Sequence, residues 1–224
     1  MNTQPSPRQW FSDIAAQNAA LSNTADAPWL SQARKDAMKA IDEIAMPERK
    51  QESWRYTDLA RLYKQHYQYP AEPAEGLPSE PIENWVYSAT ESHRLVFVNG
   101  RYASALSSIQ TLSDGIRLGS LRDALSKAPD EISSWLGQRQ AGKTDVFDQL
   151  NRAFINDGLF IHVPAHARIE KPIEVVYLNL TEGQSLLSQP RSLVILEDGA
   201  SAKLIERFIG SGPSTYFFNA VTKL

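Results

Sequence analysis

The sequence contains no cysteine, which removes disulfides, thiolate metal sites and thiol nucleophiles together. Clustered positive charge is also missing. Its 23 Lys and Arg are spread along the chain and outnumbered by 26 Asp and Glu, for a formal net charge of −3. Binding to phosphate backbones normally needs a basic patch, so nucleic acid is not an expected partner. No apolar run approaches the roughly 20 residues that span a bilayer. The opening stretch Met1–Arg8 is polar, carries two prolines and lacks the apolar core of a secretion signal. These absences together point to a cytoplasmic protein.

What is present is ordinary globular material. With 42% hydrophobic and 22% charged residues in 224, the chain can bury one large core or two small ones without a metal or disulfide to hold it. Gln9–Leu21 reads as a helix with Trp10, Ile14 and Leu21 inward. Pro28 suits a first helical turn, and Leu30, Ala33, Ala37, Ile41 and Ile44 follow at helical spacing, with Arg34, Lys35, Asp36, Asp42 and Glu43 on other faces. Pro47 should end that helix, and Thr57 can cap a further turn in the aromatic-rich stretch 48–62. From Tyr69 to Pro81 the prolines 70, 73, 78 and 81 and Gly76 mark a linker or long loop.

The chain beyond that loop turns toward β-structure. Trp85–Tyr87 reads as a short strand, and His93–Tyr102 as a hairpin whose Asn99-Gly100 tolerates the positive φ of a primed turn. Ser120–Ser126, Asp130–Leu136 and Asp145–Phe154 read as short helices. From Asp157 onward the apolar runs 159–163, 173–180, 193–196, 202–208 and 216–224 are strand-length, with Gly158, Gly183, Gly199, Gly210 and Gly212 at their edges. Stacked short strands need neighbours on both sides and a cap at each end. None follows Leu224, which suggests the opening part of a longer protein. The fold class is therefore α+β, in three segments: a helical region 1–80, a mixed region 81–156 and a strand region 157–224.

Several motifs invite chemistry. Gly137-Gln-Arg-Gln-Ala-Gly142-Lys143-Thr144 satisfies the phosphate-loop pattern, in which Lys143 would reach the outer phosphates and Thr144 would hold magnesium. Leu193–Glu197 and Asp198 could then supply the metal-binding acid. A true phosphate loop follows a buried strand, and Pro129–Leu136 is polar and helix-like, so a solvated turn between helices is the preferred reading. A P-loop nucleotide hydrolase is the alternative. His162 and His166 are four apart, but on a strand and turn rather than a helix, so their side chains should point in unrelated directions. His66 and His93 are isolated. The aromatics Trp54, Tyr56, Tyr63, Tyr67 and Tyr69 are expected to pack helices. Tyr177, Phe208, Tyr216, Phe217 and Phe218 form no evident ladder of the kind a carbohydrate-binding solenoid would use. No catalytic, cofactor-binding or metal-binding residue is nominated.

Four segments carry a more specific signal: Glu52-Ser-Trp-Arg-Tyr-Thr-Asp-Leu59, Arg94-Leu-Val-Phe-Val-Asn-Gly-Arg-Tyr102, Leu150-Asn-Arg-Ala-Phe-Ile-Asn-Asp-Gly-Leu-Phe-Ile-His-Val-Pro164 and Glu170-Lys-Pro-Ile-Glu-Val175. In order and spacing they resemble the SufD family of iron-sulfur cluster assembly proteins, the W-R-Y-T stretch looking like SufD rather than its paralogue SufB. The resemblance implies a helical N-terminal region, the first turns of a right-handed parallel β-helix and a missing C-terminal half. It also implies a SufB-like partner, a SufC-like ABC ATPase and a non-catalytic scaffold role in a SufBCD-like complex. No family ligand or catalytic residue maps onto these 224 residues. Without thiolates, no cofactor is expected to be held here.

Overall fold

A computed structural model describes residues 6–17, 26–70, 91–137, 145–181 and 183–224. The first helix, α1 (Pro7–Ala16), starts earlier than the apolar spacing predicts, because Ser6 caps it by accepting from the Gln9 amide at 3.2 Å and Pro7 occupies its first turn. Leu21 lies outside the described residues. The second helix, α2 (Pro28–Glu43), buries Leu30, Ala33, Ala37 and Ile41 as spaced, and it ends before Pro47 is reached. Arg34 departs from the expected outer face. It is buried, donating through Nε to the Ile155 carbonyl at 2.9 Å and pairing with Asp26, so its charge is compensated where it is desolvated.

No α-helix forms between residues 48 and 64. Two 3-10 turns, Glu52–Trp54 and Leu62–Lys64, stand there instead, and Thr57 caps nothing. Its amide closes a turn onto the Trp54 carbonyl, while Asp58 accepts from Ala60. The reading of Trp85–Tyr87 as a strand falls outside the described residues.

The hairpin of β1 (His93–Val98) and β2 (Arg101–Tyr102) matches expectation, with Asn99 at φ 52° and Gly100 at φ 80°. After β3 (Arg117–Ser120) come α3 (Leu121–Lys127), α4 (Pro129–Leu136) and α5 (Val146–Ala153). Ser120 caps α3 and Asp145 caps α5, each accepting from the amide three residues on. The strands β4 (Leu159–Val163), β5 (Ile173–Leu180), β6 (Leu186–Ser188) and β7 (Arg191–Leu196) follow. The last are β8 (Leu204–Ser211), β9 (Tyr216–Phe218) and β10 (Val221–Lys223).

Among the described residues three sheets form, ordered β2-β1-β5-β8, β10-β7-β4-β3 and β6-β9. Among the described strands the β1/β2 and β3/β4 pairings are antiparallel and the others parallel. Successive strands β5, β6 and β7 enter the three sheets in turn, and β8, β9 and β10 repeat that path on top of them. Partners across these last two layers lie about 30 residues apart, as in Ile173↔Leu204, Leu186↔Tyr216 and Arg191↔Val221. The single apolar run expected over 216–224 is thus two strands, broken at Asn219 and Ala220 where the chain turns from one sheet to another. Gly210 lies within β8 rather than at its edge.

The largest apolar cluster joins α1, α2 and α5 to Tyr63, Tyr67 and Leu187, with Phe217 and Phe147 packed against it. A second cluster fills the space between the sheets with Leu95, Phe97, Leu159, Ile161, Val175 and Tyr177. Among the described residues no helix is long and apolar enough to cross a membrane.

Candidate functional site

The outermost layer, β8 with β9 and β10, is the surface where this fold meets solvent with its inward side showing. Among the described residues each of these strands has a neighbour on one side only, and such an edge has backbone donors and acceptors that can template further pairing. Register with Ile173, Val175 and Tyr177, which face the space between the sheets, makes Leu204, Glu206 and Phe208 the inward residues of β8. Phe208 is nevertheless 57% exposed, and Tyr216 is exposed beside it.

An aromatic column runs up to that layer. Phe97, Tyr177 and Phe208 occupy matched positions on β1, β5 and β8. Their rings stack at centroid distances of 5.5 Å and 5.4 Å, and Phe218 lies against the last two. Aromatic rings therefore do stack from strand to strand, but Phe97 and Tyr177 are buried and the column reaches solvent at Phe208, so it packs strands and does not form a row of surface rings. A polar thread accompanies it. The Tyr177 hydroxyl meets Ser192 Oγ at 3.0 Å and the Glu206 carboxylate, and Ser192 Oγ accepts from the Leu159 amide at 3.2 Å. Burial pushes the Glu206 carboxyl above its ordinary value, with the tyrosine hydrogen bond opposing.

Beneath the layer, the residues of the L-N-R-A-F-I-N-D-G stretch hold the scaffold together. Asn151 on α5 donates to the Pro190 carbonyl at 2.9 Å and the Asn219 carbonyl at 2.8 Å, and accepts from Arg191 at 2.9 Å. One helix side chain thereby ties together the β6–β7 turn and the β9–β10 turn stacked on it. Asp148 pairs with the same buried Arg191 at 3.2 Å, offsetting the desolvation that lowers the pKa of that guanidinium. Asp157 gathers the Tyr102 and Gly158 amides and the Ser120 hydroxyl, each at 2.8 Å, and the Arg122 amide at 3.3 Å. Burial still leaves its carboxyl above the ordinary range, since those hydrogen bonds only partly oppose it. Gly158, at φ 154°, has no room for a side chain, because a Cβ there would overlap the Arg191 carbonyl.

The motif residues singled out in the sequence are scattered. Residues 138–144 of the phosphate-loop pattern, with Lys143 and Thr144, lie outside the described residues; Gly137 closes α4, so a helix precedes the pattern. Glu197, the acid after β7, is taken up by His162 Nε2 at 2.6 Å and the Ala165 amide at 3.0 Å. Arg117 approaches His162 Nδ1 at 2.8 Å, and a guanidinium can only donate, so Nδ1 is the acceptor and Nε2 carries the proton toward Glu197. His166 sits apart in a left-handed turn, its amide bound to the Asp198 carbonyl. His93 is buried and accepts from the Gln110 amide, and its pKa is lowered by burial and by Lys171. Among the described residues no group of three or more His, Asp or Glu could hold a metal ion. Of the aromatic run, Tyr63, Tyr67 and Tyr69 pack on the core side and Trp54 leans on Phe147, whereas Tyr56 is 88% exposed, an exception to the expected packing.

A family model described as the SufBD protein N-terminal region matches residues 6–175. An iron-sulfur cluster assembly SufBD family protein of Synechocystis is 27% identical over 192 residues, 86% of this chain and 42% of its own length. The iron-sulfur cluster assembly protein SufD of Escherichia coli is 28% identical over 187 residues, 82% of this chain and 40% of its own. That of Bacillus subtilis is 23% identical over 203 residues, 88% of this chain and 45% of its own. The chain thus spans less than half the length of these relatives. With the match covering most of its residues, the chain belongs to the SufBD family through that family's N-terminal region.

Proposed function

We propose that this chain is the N-terminal part of a SufD-like subunit that serves as a non-catalytic scaffold in a cytoplasmic, SufBCD-like iron-sulfur cluster assembly complex. The observation that carries the reading is the pairing of the family match over residues 6–175 with strands stacked in parallel at a spacing of about 30 residues. In this reading β4–β10 are the first turns of a right-handed parallel β-helix, preceded by the helical segment 1–80 and the mixed segment 81–156. A stack of short strands is a rigid rod with a long flank and two ends, suited to lying against a second stack of the same kind. The scaffold's partners are a SufB-like paralogue and a SufC-like ABC ATPase, engaged by residues beyond Leu224. The cluster is cargo assembled on the complex. With no cysteine in the sequence, these residues contribute architecture rather than thiolate ligands.

Co-expression of the full-length protein with a SufB-like and a SufC-like protein tests this. A stable complex on size exclusion, lost when the full-length SufD-like chain is omitted, is the expected result. A full-length protein that elutes alone under gentle conditions overturns it.

A further inference from the structure

The backbone of residues 67–69 is hydrogen-bonded along both of its edges. Toward β6, Gln68 forms a parallel bridge with Leu186: its amide donates to the Ser185 carbonyl at 2.9 Å, and its carbonyl accepts the Leu187 amide at 2.8 Å. The opposite edge presents the Tyr67 carbonyl and the Tyr69 amide, and both meet one side chain. Gln17, the residue that follows α1, donates Nε2 to the Tyr67 carbonyl at 2.8 Å and accepts the Tyr69 amide on Oε1 at 2.7 Å.

A carboxamide offers the same donor and acceptor as a peptide group. In a parallel pair, a residue donates to the carbonyl just before its partner and accepts from the amide just after it. With Gln68 as the partner, those are the two groups that Gln17 occupies. The side chain therefore stands where a strand parallel to residues 67–69 would lie. A cleft of about 520 Å³ opens there between α1 and residues 65–69, within the size range of clefts that hold ligands. Trp10 and Ile14 give it apolar walls, and its lining includes Asp13 and, among the described residues, no Lys or Arg.

We propose that this edge is a docking site for an extended segment of a partner protein bearing a lysine or arginine, and that Gln17 holds it closed. The incoming backbone replaces the Gln17 carboxamide at Tyr67 and Tyr69, extends the parallel array of Gln68, β6 and β9, and sets its cation toward Asp13. The exchange leaves α1 in place. The core contacts of that helix come from Trp10, Phe11, Ile14 and Ala15, and Gln17 lies beyond them.

Fluorescence polarisation of the full-length protein with a labelled heptapeptide of alternating valine and lysine tests the site. The Gln17→Ala variant, with its edge unblocked, is expected to bind this probe about tenfold more tightly than the parent. A probe of the same sequence with alternate peptide nitrogens methylated, unable to donate to the Tyr67 carbonyl, is expected not to bind. Equal affinity of parent and variant, or equal binding of the methylated probe, overturns the proposal. Hydrogen exchange of the parent gives a reading that needs no variant. With saturating probe, exchange slows at residues 67–69 if the strand adds there, and unchanged exchange at those residues counts against the site even if Gln17→Ala does not fold.

Discussion

Glu206 is one residue through which the strand stack responds to acid. It faces inward at the outer layer, and burial raises its carboxyl above the usual glutamate range. A group whose pKa is raised in the folded protein adds stability that is fully present below its unfolded pKa and lost as pH rises through the folded one. The Glu206→Gln variant should therefore be more stable than the parent near neutral pH. It should also lose its part of the gain that the parent shows on acidification toward the ordinary carboxylate range. The effect is under about 1 kcal/mol, because the group is only partly removed from water. Urea unfolding across a pH series measures it, and superimposable profiles for parent and variant would show that Glu206 is not the titrating group. Asp157 is shifted in the same direction and supplies a second component that this substitution leaves in place.

Capping and stitching decide the helices. Asp145 accepts from the Asp148 amide at 2.8 Å and starts α5, so Asp145→Ala should cost about 1 kcal/mol. Chemical denaturation checks this, and a loss within error of zero would mean the helix start is held by packing alone. The helices and long strands were legible because their signals are local. The period of α2, the helical stretch 145–154 and the apolar runs of β4 and β5 all stand in contiguous sequence. Strands β3 and β6 were missed because Arg-Leu-Gly-Ser and Leu-Leu-Ser are too short to show a period. Their extended state comes from pairing with β4 and β9. Arg34 was misplaced for a related reason: its partner is the carbonyl of Ile155, 121 residues away, and no local pattern announces it. The column of Phe97, Tyr177 and Phe208 depends on the register of three strands far apart in the chain, so their spacing in sequence could not reveal it.

At the scale of the whole molecule, the two ends of the stacked strands differ among the described residues. The antiparallel strands β2 and β3 close two sheets on the early side, while β8, β9 and β10 offer unpaired edges and the ring of Phe208 on the other. Such edges recruit other chains. A preparation of these 224 residues should therefore self-associate through the outer layer, and Phe208→Glu, which places a charge on the column, should lower the associated mass. Light scattering reads the outcome; a monodisperse monomer for the parent, or equal association in the variant, would remove the outer layer as the cause.

The near-regular spacing of the parallel layers also bears on how the protein yields to force. Hydrogen bonds between layers run along the stacking direction, so a pull on Leu224 loads β10, β9 and β8 in sequence rather than all at once. Each layer that peels away frees about 30 residues, roughly 100 Å of extended chain. Mechanical unfolding from this end should proceed as steps of that length, beginning at β10 and passing to β9 and β8.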